Sequence, residues 1–269
     1  MSLVGVFDSG VGGLSILDEA LRQLPQHDYI YLADSANAPY GEKSSEWIAE
    51  RSLELCRHLA KSGCDAIVVA CNTATAEAIK QIRDQVPIPV IGVEPGIKPA
   101  SMQTQNGVVG VLATEATLKS DKFNALLVTL PNDCRFIKQA GAGLVPLIEV
   151  GEADGEETLE LLAKHLEPIQ DAGADTIVLG CTHYHFLRKA IRKLLGNSIT
   201  LIDTSDAVVR QLRRQLEQFK SDEGLNEERH GSVSFVSSKD DAPLLKMARD
   251  LMRSDLNNHA LNSSMLDSQ

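Results

Sequence analysis

The sequence predicts an α/β protein of two similar Rossmann-like units, each with a mainly parallel sheet. Short apolar runs alternate with longer amphipathic stretches along the 269 residues, which is typical of parallel strands covered by helices on both faces. The segment from Gly63 to Cys71 also recurs from Gly173 to Cys181, with five of nine positions identical. We therefore expect two pseudo-symmetric units with an active site in the cleft between them.

The strands are predicted in chain order from the apolar runs. They are Leu3–Phe7, Tyr29–Ala33, Ala66–Ala70 and Pro89–Val93 in the first unit, and "VVGVLA", "TIVLG" and "ITLID" in the second. Amphipathic segments such as "GLSILDEALRQL" and "SSEWIAERSLELCRHLAKSG" predict the helices between them. Near the C-terminus, "VVRQLRRQLEQFK" and "APLLKMARDLM" predict two more helices, with the alternating strand "SVSFVSS" between them.

The domain boundaries follow from the repeat. No low-complexity linker separates the two units, so we expect the chain to cross between them. We assign 1–98 plus 208–269 to a first domain that carries Cys71, and 99–207 to a second domain that carries Cys181. The polar tail after Asp255 is expected to be poorly ordered.

Composition and charge exclude several classes of function. The net charge of −11 and the pI of about 5.1 argue against binding to nucleic acid or to anionic membranes. No apolar run approaches the roughly 20 residues of a membrane span, and the N-terminus lacks the basic segment of a signal peptide. Five cysteines without framework spacing suggest reduced thiols. We expect a cytoplasmic protein.

The two repeated cysteines are the strongest chemical signal. Cys71 and Cys181 each end an apolar strand and precede polar residues that favour a helix start, such as Asn72 and Thr73. A helix N-terminus lowers the pKa of a thiol, and thiolates serve as general bases. Ligands of Rossmann-like units bind beyond the carboxyl ends of the strands. A thiolate and a thiol on opposite sides of one cleft could exchange a proton with a carbon between them and invert a stereocentre.

Other polar residues lie at predicted strand ends and loops near these thiols. Asp8 and Ser9 end the first strand beside a glycine-rich turn, and Pro39, Tyr40 and Gly41 follow the second strand. The second unit supplies His183, two residues after its cysteine, and Glu149. These groups could orient or protonate the thiols.

Less specific interpretations apply to several of these features. Cys56, Cys64 and Cys134 lack the strand-end context and are assigned to packing. Cys181, His183 and His185 alternate, but the fourth ligand and the usual spacing of a zinc site are missing, so we expect no metal. The "DSGVGG" segment lacks the Lys-Ser/Thr ending of a phosphate-binding loop and the full dinucleotide fingerprint.

Five ordered segments resemble the cofactor-independent glutamate racemases: "FDSGVGGLSIL", "DSANAPYG", "ACNTATA", "GVEPGIKPA" and "GCTHYHFL". The resemblance spans about Val4 to Asp203. It implies an enzyme that interconverts L- and D-glutamate without a cofactor, supplies D-glutamate for peptidoglycan, and forms a homodimer. Family members regulated by a cell-wall precursor carry an N-terminal extension; only three residues precede Val4, so we do not expect that regulation.

The resemblance also assigns roles to residues. Cys71 would act on the D enantiomer with help from Asp8, and Cys181 on the L enantiomer with His183 and Glu149. The substrate-binding residues would be Asp8, Ser9, Pro39, Tyr40, Gly41, Asn72, Thr73, Thr117, Thr182 and His183. One departure concerns the second unit, where Ala113 and Thr114 replace the usual Gly-Thr pair and make the register of Thr117 less secure.

The sequence leaves three competing functions open. The same chemistry could act on aspartate, with the size of the cleft deciding. A hydrolase or lyase with a Cys181–His183 pair would leave Cys71 without a role, so Cys71→Ser would retain activity. A two-unit amino-acid binding protein would catalyse no hydrogen exchange at the α-carbon of its ligand.

Overall fold

The computed structural model describes residues 1–130, 134–219, 230–240, 242–252, 256 and 259–266. Contacts divide the chain into two compact units. The first unit contains 1–93 and 205–269, and the second contains 94–204. None of the helices in these described ranges combines the length and the apolar composition that a membrane crossing requires.

The first unit is built on a six-stranded parallel sheet with the order β10-β9-β2-β1-β3-β4. Its strands are β1 (Leu3–Asp8), β2 (Asp28–Ala33), β3 (Ala66–Val69), β4 (Val90–Gly92), β9 (Ser232–Ser237) and β10 (Ala260–Met265). Its helices are α1 (Leu14–Gln23), α2 (Ser45–Lys61), α3 (Asn72–Gln85), α10 (Ser205–Phe219) and α11 (Ala242–Leu251), and a short 3-10 helix spans Tyr40–Glu42. Helix α2 packs against α3, and α1 packs against α10 and α11.

The second unit is built on a four-stranded parallel sheet with the order β6-β5-β7-β8. Its strands are β5 (Val108–Ala113), β6 (Arg135–Ala140), β7 (Thr176–Gly180) and β8 (Thr200–Ile202). Its helices are α4 (Ile97–Gln103), α5 (Glu115–Lys119), α6 (Asp121–Val128), α7 (Leu144–Glu149), α8 (Glu156–Asp171) and α9 (Arg188–Leu195), and a 3-10 helix spans Thr182–Leu187.

The two sheets share one strand order. The segment β2-β1-β3-β4 of the first sheet corresponds to β6-β5-β7-β8 of the second, so that β3 and β7 occupy equivalent positions. Every strand pair within both sheets is parallel. The predicted α/β class, with two similar parallel-sheet units, is confirmed.

The strands lie at the centre of each core because both of their faces are covered. All four residues of β3 are buried, and the cluster around them contains Phe7, Leu32 and Leu59. The second unit has its own cluster, in which Val111 of β5 packs with Val178 of β7. Burial of these apolar side chains is the main driving force for folding of each unit.

Helix α2 illustrates how local sequence specifies an element. The side chain of Ser44 caps its N-terminus by accepting a hydrogen bond from the backbone N–H of Trp47 at 3.3 Å. Glu46 lies in the first turn and Lys61 in the last, where their charges complement the helix dipole. Ile48 and other apolar residues at helical spacing face the core.

One prediction about order was wrong. The tail after Asp255 was expected to be poorly ordered, but Ala260–Met265 forms β10 at the edge of the first sheet, paired with β9. Residues 257, 258 and 267–269 of the tail lie outside the described residues. Its side chains are mostly exposed, so the backbone ladder rather than apolar burial holds the strand in place. Strand β6 was also not predicted from the sequence, because its residues are half-buried or exposed and form no apolar run.

Candidate active site

Cys71 lies at the carboxyl edge of the first sheet, two residues after the end of β3, and is the N-cap of α3. Its sulfur accepts a hydrogen bond from the backbone N–H of Ala74 at 3.4 Å and lies 3.6 Å from the hydroxyl oxygen of Ser9. The thiol is buried, with 5 % of the residue exposed. An N–H group and the positive end of a helix dipole both stabilise a thiolate relative to a thiol.

The glycine-rich turn after β1 brings Asp8 close to the following helix. One carboxylate oxygen of Asp8 accepts a hydrogen bond from the N–H of Gly10 at 2.8 Å, and the residue is fully buried. A Cβ atom on Gly13 would lie 2.8 Å from Cβ of Asp8 and 2.9 Å from Cβ of Ala70. The absence of a side chain at Gly13 thus permits a close approach beside Asp8.

Tyr40 lies in the loop between β2 and α2, flanked by the half-buried Pro39 and Gly41. Its hydroxyl group donates a hydrogen bond to a carboxylate oxygen of Asp34 at 2.6 Å. Burial raises the pKa of Tyr40 far above its ordinary value, and the negative charges of Asp34 and Cys71 raise it further. The phenol therefore stays protonated.

Asn72 and Thr73, the first two residues of α3, are both buried. The amide nitrogen of Asn72 contacts the carbonyl oxygen of Val93 at 3.5 Å. Its buried side-chain oxygen Oδ1 has no hydrogen-bond partner among the described residues. A buried acceptor without a partner costs free energy, so this atom is suited to accept a hydrogen bond from a bound ligand.

In the second unit, Cys181 follows β7 and precedes the 3-10 helix. Its sulfur lies 3.8 Å from Nδ1 of His183, and Nε2 of His183 pairs with a carboxylate oxygen of Glu149 at 2.5 Å. Burial alone would lower the pKa of His183, but its contacts with Cys181 and Glu149 outweigh burial and raise it well above the ordinary value. The side chains of Cys181, His183 and Glu149 are thus connected through the two ring nitrogens of the histidine.

Further polar residues follow the carboxyl ends of β5 and β7 in the second unit. Thr182 is buried, and the hydroxyl of Tyr184 donates to the carbonyl oxygen of Gly141 at 2.8 Å. Thr117 is fully buried at the start of α5, and its hydroxyl oxygen lies 2.9 Å from that of Thr114, the N-cap of that helix. Hydroxyl groups at the carboxyl edge of a parallel sheet are suited to bind polar ligands.

The structure also shows the surroundings of the residues that the sequence suggested for a zinc site or for packing. His185 points to Asp203, with 3.3 Å between Nδ1 and a carboxylate oxygen. Within the part of the chain that the structure describes, no group of three His, Cys, Asp or Glu side chains could hold a metal ion. Cys56 and Cys64 are packed in the first core, where burial raises the pKa of each to about 12.

The predicted site residues thus form two groups, one in each unit. The first contains Asp8, Ser9, Pro39, Tyr40, Gly41, Cys71, Asn72 and Thr73. The second contains Thr117, Glu149, Cys181, Thr182 and His183. Sequence reasoning missed Asp34 and Arg51, which pair behind Tyr40, although Asp34 opens the "DSANAPYG" segment. Arg51 gives no sequence signal, since its partner lies 17 residues away.

Comparison with known proteins supports a common origin for this arrangement. The Asp/Glu/Hydantoin racemase family matches residues 8–212. A glutamate racemase of Ralstonia pickettii is 51 % identical over 250 residues, which cover 93 % of this chain and 87 % of the relative.

Solved structures of glutamate racemases are also similar to this chain. Glutamate racemase isoform RacE1 from Bacillus anthracis has a TM-score of 0.85 at 29 % identity, covering 99 % of this chain and 97 % of that one. The Escherichia coli glutamate racemase, solved with L-glutamate and the activator UDP-MurNAc-Ala, has a TM-score of 0.83 at 32 % identity, covering 99 % of both chains. The chain therefore belongs to the Asp/Glu/hydantoin racemase family.

Proposed function

We propose that this protein is a glutamate racemase that transfers protons at the α-carbon with two cysteines and no cofactor. The observation that carries the proposal is the repeated placement of the thiols. Strands β3 and β7 occupy equivalent positions in two sheets of the same order, and each is followed within two residues by a buried cysteine. Relatives named glutamate racemase at 51 % identity support glutamate as the substrate.

The proposed reaction is a pair of proton transfers. The Cys71 thiolate takes the α-hydrogen of D-glutamate, so that the C–H bond breaks, an S–H bond forms and the electron pair remains on the α-carbon. The Cys181 thiol then donates its proton to the opposite face, which forms the C–H bond of L-glutamate and leaves a thiolate. The reverse reaction begins at Cys181, and the two thiols exchange protonation states in each turnover.

The contacts around each sulfur support these roles. The N–H of Ala74 and the dipole of α3 would stabilise the Cys71 thiolate, and the Ser9 hydroxyl lies within contact of the same sulfur. A protonated His183 would stabilise the Cys181 thiolate, while Glu149 holds the imidazole in place. Asp8, buried beside the first site, would assist Cys71.

The electron pair left on the α-carbon is the main energetic difficulty, because no cofactor serves as an electron sink. Fixed hydrogen-bond donors and exclusion of water must stabilise this charge, and each tenfold gain in rate requires about 1.4 kcal/mol. The Oδ1 of Asn72, which has no partner in the described part of the chain, is suited to the substrate ammonium, and the hydroxyls of Thr73, Thr117 and Thr182 are suited to its carboxylates. Many modest contacts would act together.

Hydrogen exchange in deuterated buffer tests the mechanism. The wild type should racemise glutamate and incorporate deuterium at the α-carbon. Cys71→Ser and Cys181→Ser should each abolish racemisation, since inversion needs both thiols. A single remaining thiol still faces one enantiomer, so Cys71→Ser should exchange deuterium only into L-glutamate, and Cys181→Ser only into D-glutamate. Cys134→Ser, at a half-buried thiol outside both groups, is the matched control.

A cysteine hydrolase is the second candidate, because Cys181, His183 and Glu149 have the connectivity of a nucleophile, a base and an orienting acid. In that case Cys71→Ser would keep full activity and the wild type would exchange no α-hydrogen. Parallel assays with aspartate decide between the two dicarboxylic amino acids.

The biological setting forms part of the proposal. Two reactive thiols work only while reduced, which suits the cytoplasm. The resemblance to glutamate racemases further implies a homodimer that supplies D-glutamate for peptidoglycan. Sedimentation velocity on the purified protein tests the dimer, and growth rescue of a D-glutamate auxotroph tests the supply.

A further inference from the structure

Behind Tyr40 lies a buried ion pair that the mechanism above does not use. Asp34 follows β2, and its side chain is fully buried. Arg51 of α2 binds it in a bidentate fashion, with Nη2 donating to Oδ1 at 2.9 Å and Nε donating to Oδ2 at 3.0 Å. Such a planar pair fixes both orientation and charge.

The same carboxylate anchors the loop that carries Tyr40. It accepts the hydroxyl of Tyr40 at 2.6 Å and the side-chain amide of Asn37 at 3.1 Å to each oxygen. The backbone N–H of Asp34 donates to the carbonyl oxygen of Asp8 at 3.0 Å. Asp34 thus connects α2, the Tyr40 loop and the end of β1.

Arg51 keeps this carboxylate charged. Burial alone would raise the pKa of Asp34, but hydrogen bonds from Arg51, Tyr40 and Ser238 together with the Arg51 charge outweigh it and leave the pKa below its usual range. Without Arg51, the buried carboxylate would lose its counter-charge and would take up a proton more readily.

A charged Asp34 determines how Tyr40 presents its oxygen. Because the single O–H hydrogen of Tyr40 is donated to Asp34, the phenol oxygen can only accept a further hydrogen bond. Tyr40 and Cys71 belong to the same buried cluster, and helix α3, which Cys71 caps, packs against the 3-10 helix that begins at Tyr40. An acceptor there suits an ammonium group or a thiol, whereas a rotated hydroxyl would present a donor.

We propose that Arg51 and Asp34 are positioning residues, which hold Tyr40 as a hydrogen-bond acceptor beside Cys71. The consequence for glutamate turnover rests on the function proposed above. Arg51 acts through Asp34, and Asp34 acts through Tyr40. Removing the charge of Arg51 therefore makes the orientation of Tyr40 depend on whether Asp34 is protonated.

The first experiment compares pH profiles of kcat/KM. Arg51→Gln should lose about ten- to a hundred-fold, with the loss growing as the pH falls because Asp34 then takes up a proton. Asp34→Asn should be similarly impaired but without that added acid dependence. Arg51→Lys keeps the charge and should keep the wild-type acid limb. Arg57→Gln, on the same helix but bonded to Gln85, is the matched control and should stay within about two-fold.

A double-mutant cycle tests the route through Tyr40. If Arg51 acts through the Tyr40 hydroxyl, the double variant Tyr40→Phe with Arg51→Gln should be no worse than the poorer single variant, within about three-fold. Multiplied losses, or an Arg51→Gln pH profile equal to that of the wild type, would overturn the proposal.

Chemical rescue separates positioning from misfolding. Arg51 lines an open groove of about 450 Å³ together with Asn37, Glu54 and Ser238, so a small cation can reach the space left by its side chain. Added guanidinium should restore activity of Arg51→Ala but not of Asp34→Asn, at concentrations that leave the wild type unaffected. A well-folded Arg51→Ala that guanidinium cannot rescue would count against the proposal.

A separate measurement distinguishes failure of the positioning role from failure of the proposed racemase function. If the wild type does not racemise glutamate, the rate of Cys71 alkylation replaces turnover as the readout. Arg51→Gln should then change that rate by more than about three-fold and Arg57→Gln should not, since only the first disturbs Tyr40. Equal rates in both variants would overturn the positioning role independently of any substrate.

Discussion

The sulfur of Cys181 lies 3.8 Å from Nδ1 of His183. The other ring nitrogen of this histidine pairs with Glu149, and the contacts together raise the pKa of His183 well above its ordinary value. At neutral pH the ring is therefore an imidazolium next to the sulfur of Cys181. This geometry makes the second site sensitive to alkaline pH in a way that a lone cysteine would not be.

Replacing Glu149 should shift that sensitivity. Glu149→Gln removes the carboxylate that raises the pKa of His183, so the alkaline limb of kcat/KM should move to lower pH and the maximum should fall about ten- to a hundred-fold. Because the equilibrium constant of a racemisation is one, kcat/KM should fall equally for both enantiomers. Glu152→Gln, at an exposed position nearby, is the control.

The pairing of His183 with Glu149 should also make the free energy of unfolding depend on pH in a defined direction. The raised pKa of His183 means that its stabilising contribution is fully present below the ordinary histidine pKa and is lost as the pH rises through the raised value. Wild type should thus lose stability towards alkaline pH relative to His183→Gln. Urea unfolding across the pH range measures the difference, and parallel curves would contradict the imidazolium assignment.

Asn72 offers a direct test of ligand binding. Its buried Oδ1 has no partner among the described residues, and we expect the substrate ammonium to bind there. Glutamate should raise the melting temperature of the wild type, because a ligand that binds only the folded state stabilises it. Asn72→Ala should lose most of this shift, with KM raised about ten-fold. Asn197→Ala, at an exposed site, should behave as wild type.

Much of the fold was predictable because its signals are local. Continuous apolar runs predicted β1, β3 and β7, since strands buried on both faces admit few polar residues. Strands β6 and β10 lack such runs, and their pairing depends on neighbours that only the assembled sheet provides. Strands β4 and β8 also lie at sheet edges but were predicted from their apolar runs, so apolar composition rather than position in the sheet decides whether the sequence reveals a strand.

The residues of the candidate site also differ in whether the sequence alone reveals them. The two cysteines were identifiable because a strand end followed by a helix cap is a sequence pattern. The pair of Arg51 and Asp34 was not, because two residues that are 17 positions apart meet only after α2 packs against the sheet. Residues that hold a catalytic group in place are often of this kind, because they meet only in the folded protein.

Gly13 should be intolerant of a side chain despite its ordinary backbone conformation. Its φ of −65° suits any residue, but an added methyl group would lie 2.8 Å from Cβ of Asp8 and 3.0 Å from the Tyr31 hydroxyl. Gly13→Ala should therefore lower stability by about 1–3 kcal/mol and reduce kcat by displacing Asp8. At Gly155 the nearest atom is the flexible end of Glu152, so Gly155→Ala should cost less.

Four of the five thiols should separate into two classes in alkylation experiments. Burial raises the pKa of Cys56 and Cys64 to about 12, so at pH 8 only about one in ten thousand of either is a thiolate. Cys71 instead receives an N–H hydrogen bond at a helix start, and Cys181 lies beside His183. Iodoacetamide should modify these two before Cys56 and Cys64, as peptide mass spectrometry would detect.

Glutamate makes this alkylation test specific. Saturating glutamate should slow modification of Cys71 and Cys181 at least about ten-fold if both contact the substrate, and should leave Cys134 unaffected. Protection of Cys181 alone would indicate a single-thiol enzyme and favour the hydrolase. Rapid modification of Cys56 would show that the first core opens readily, because a thiol packed there reacts only after the chain around it has moved.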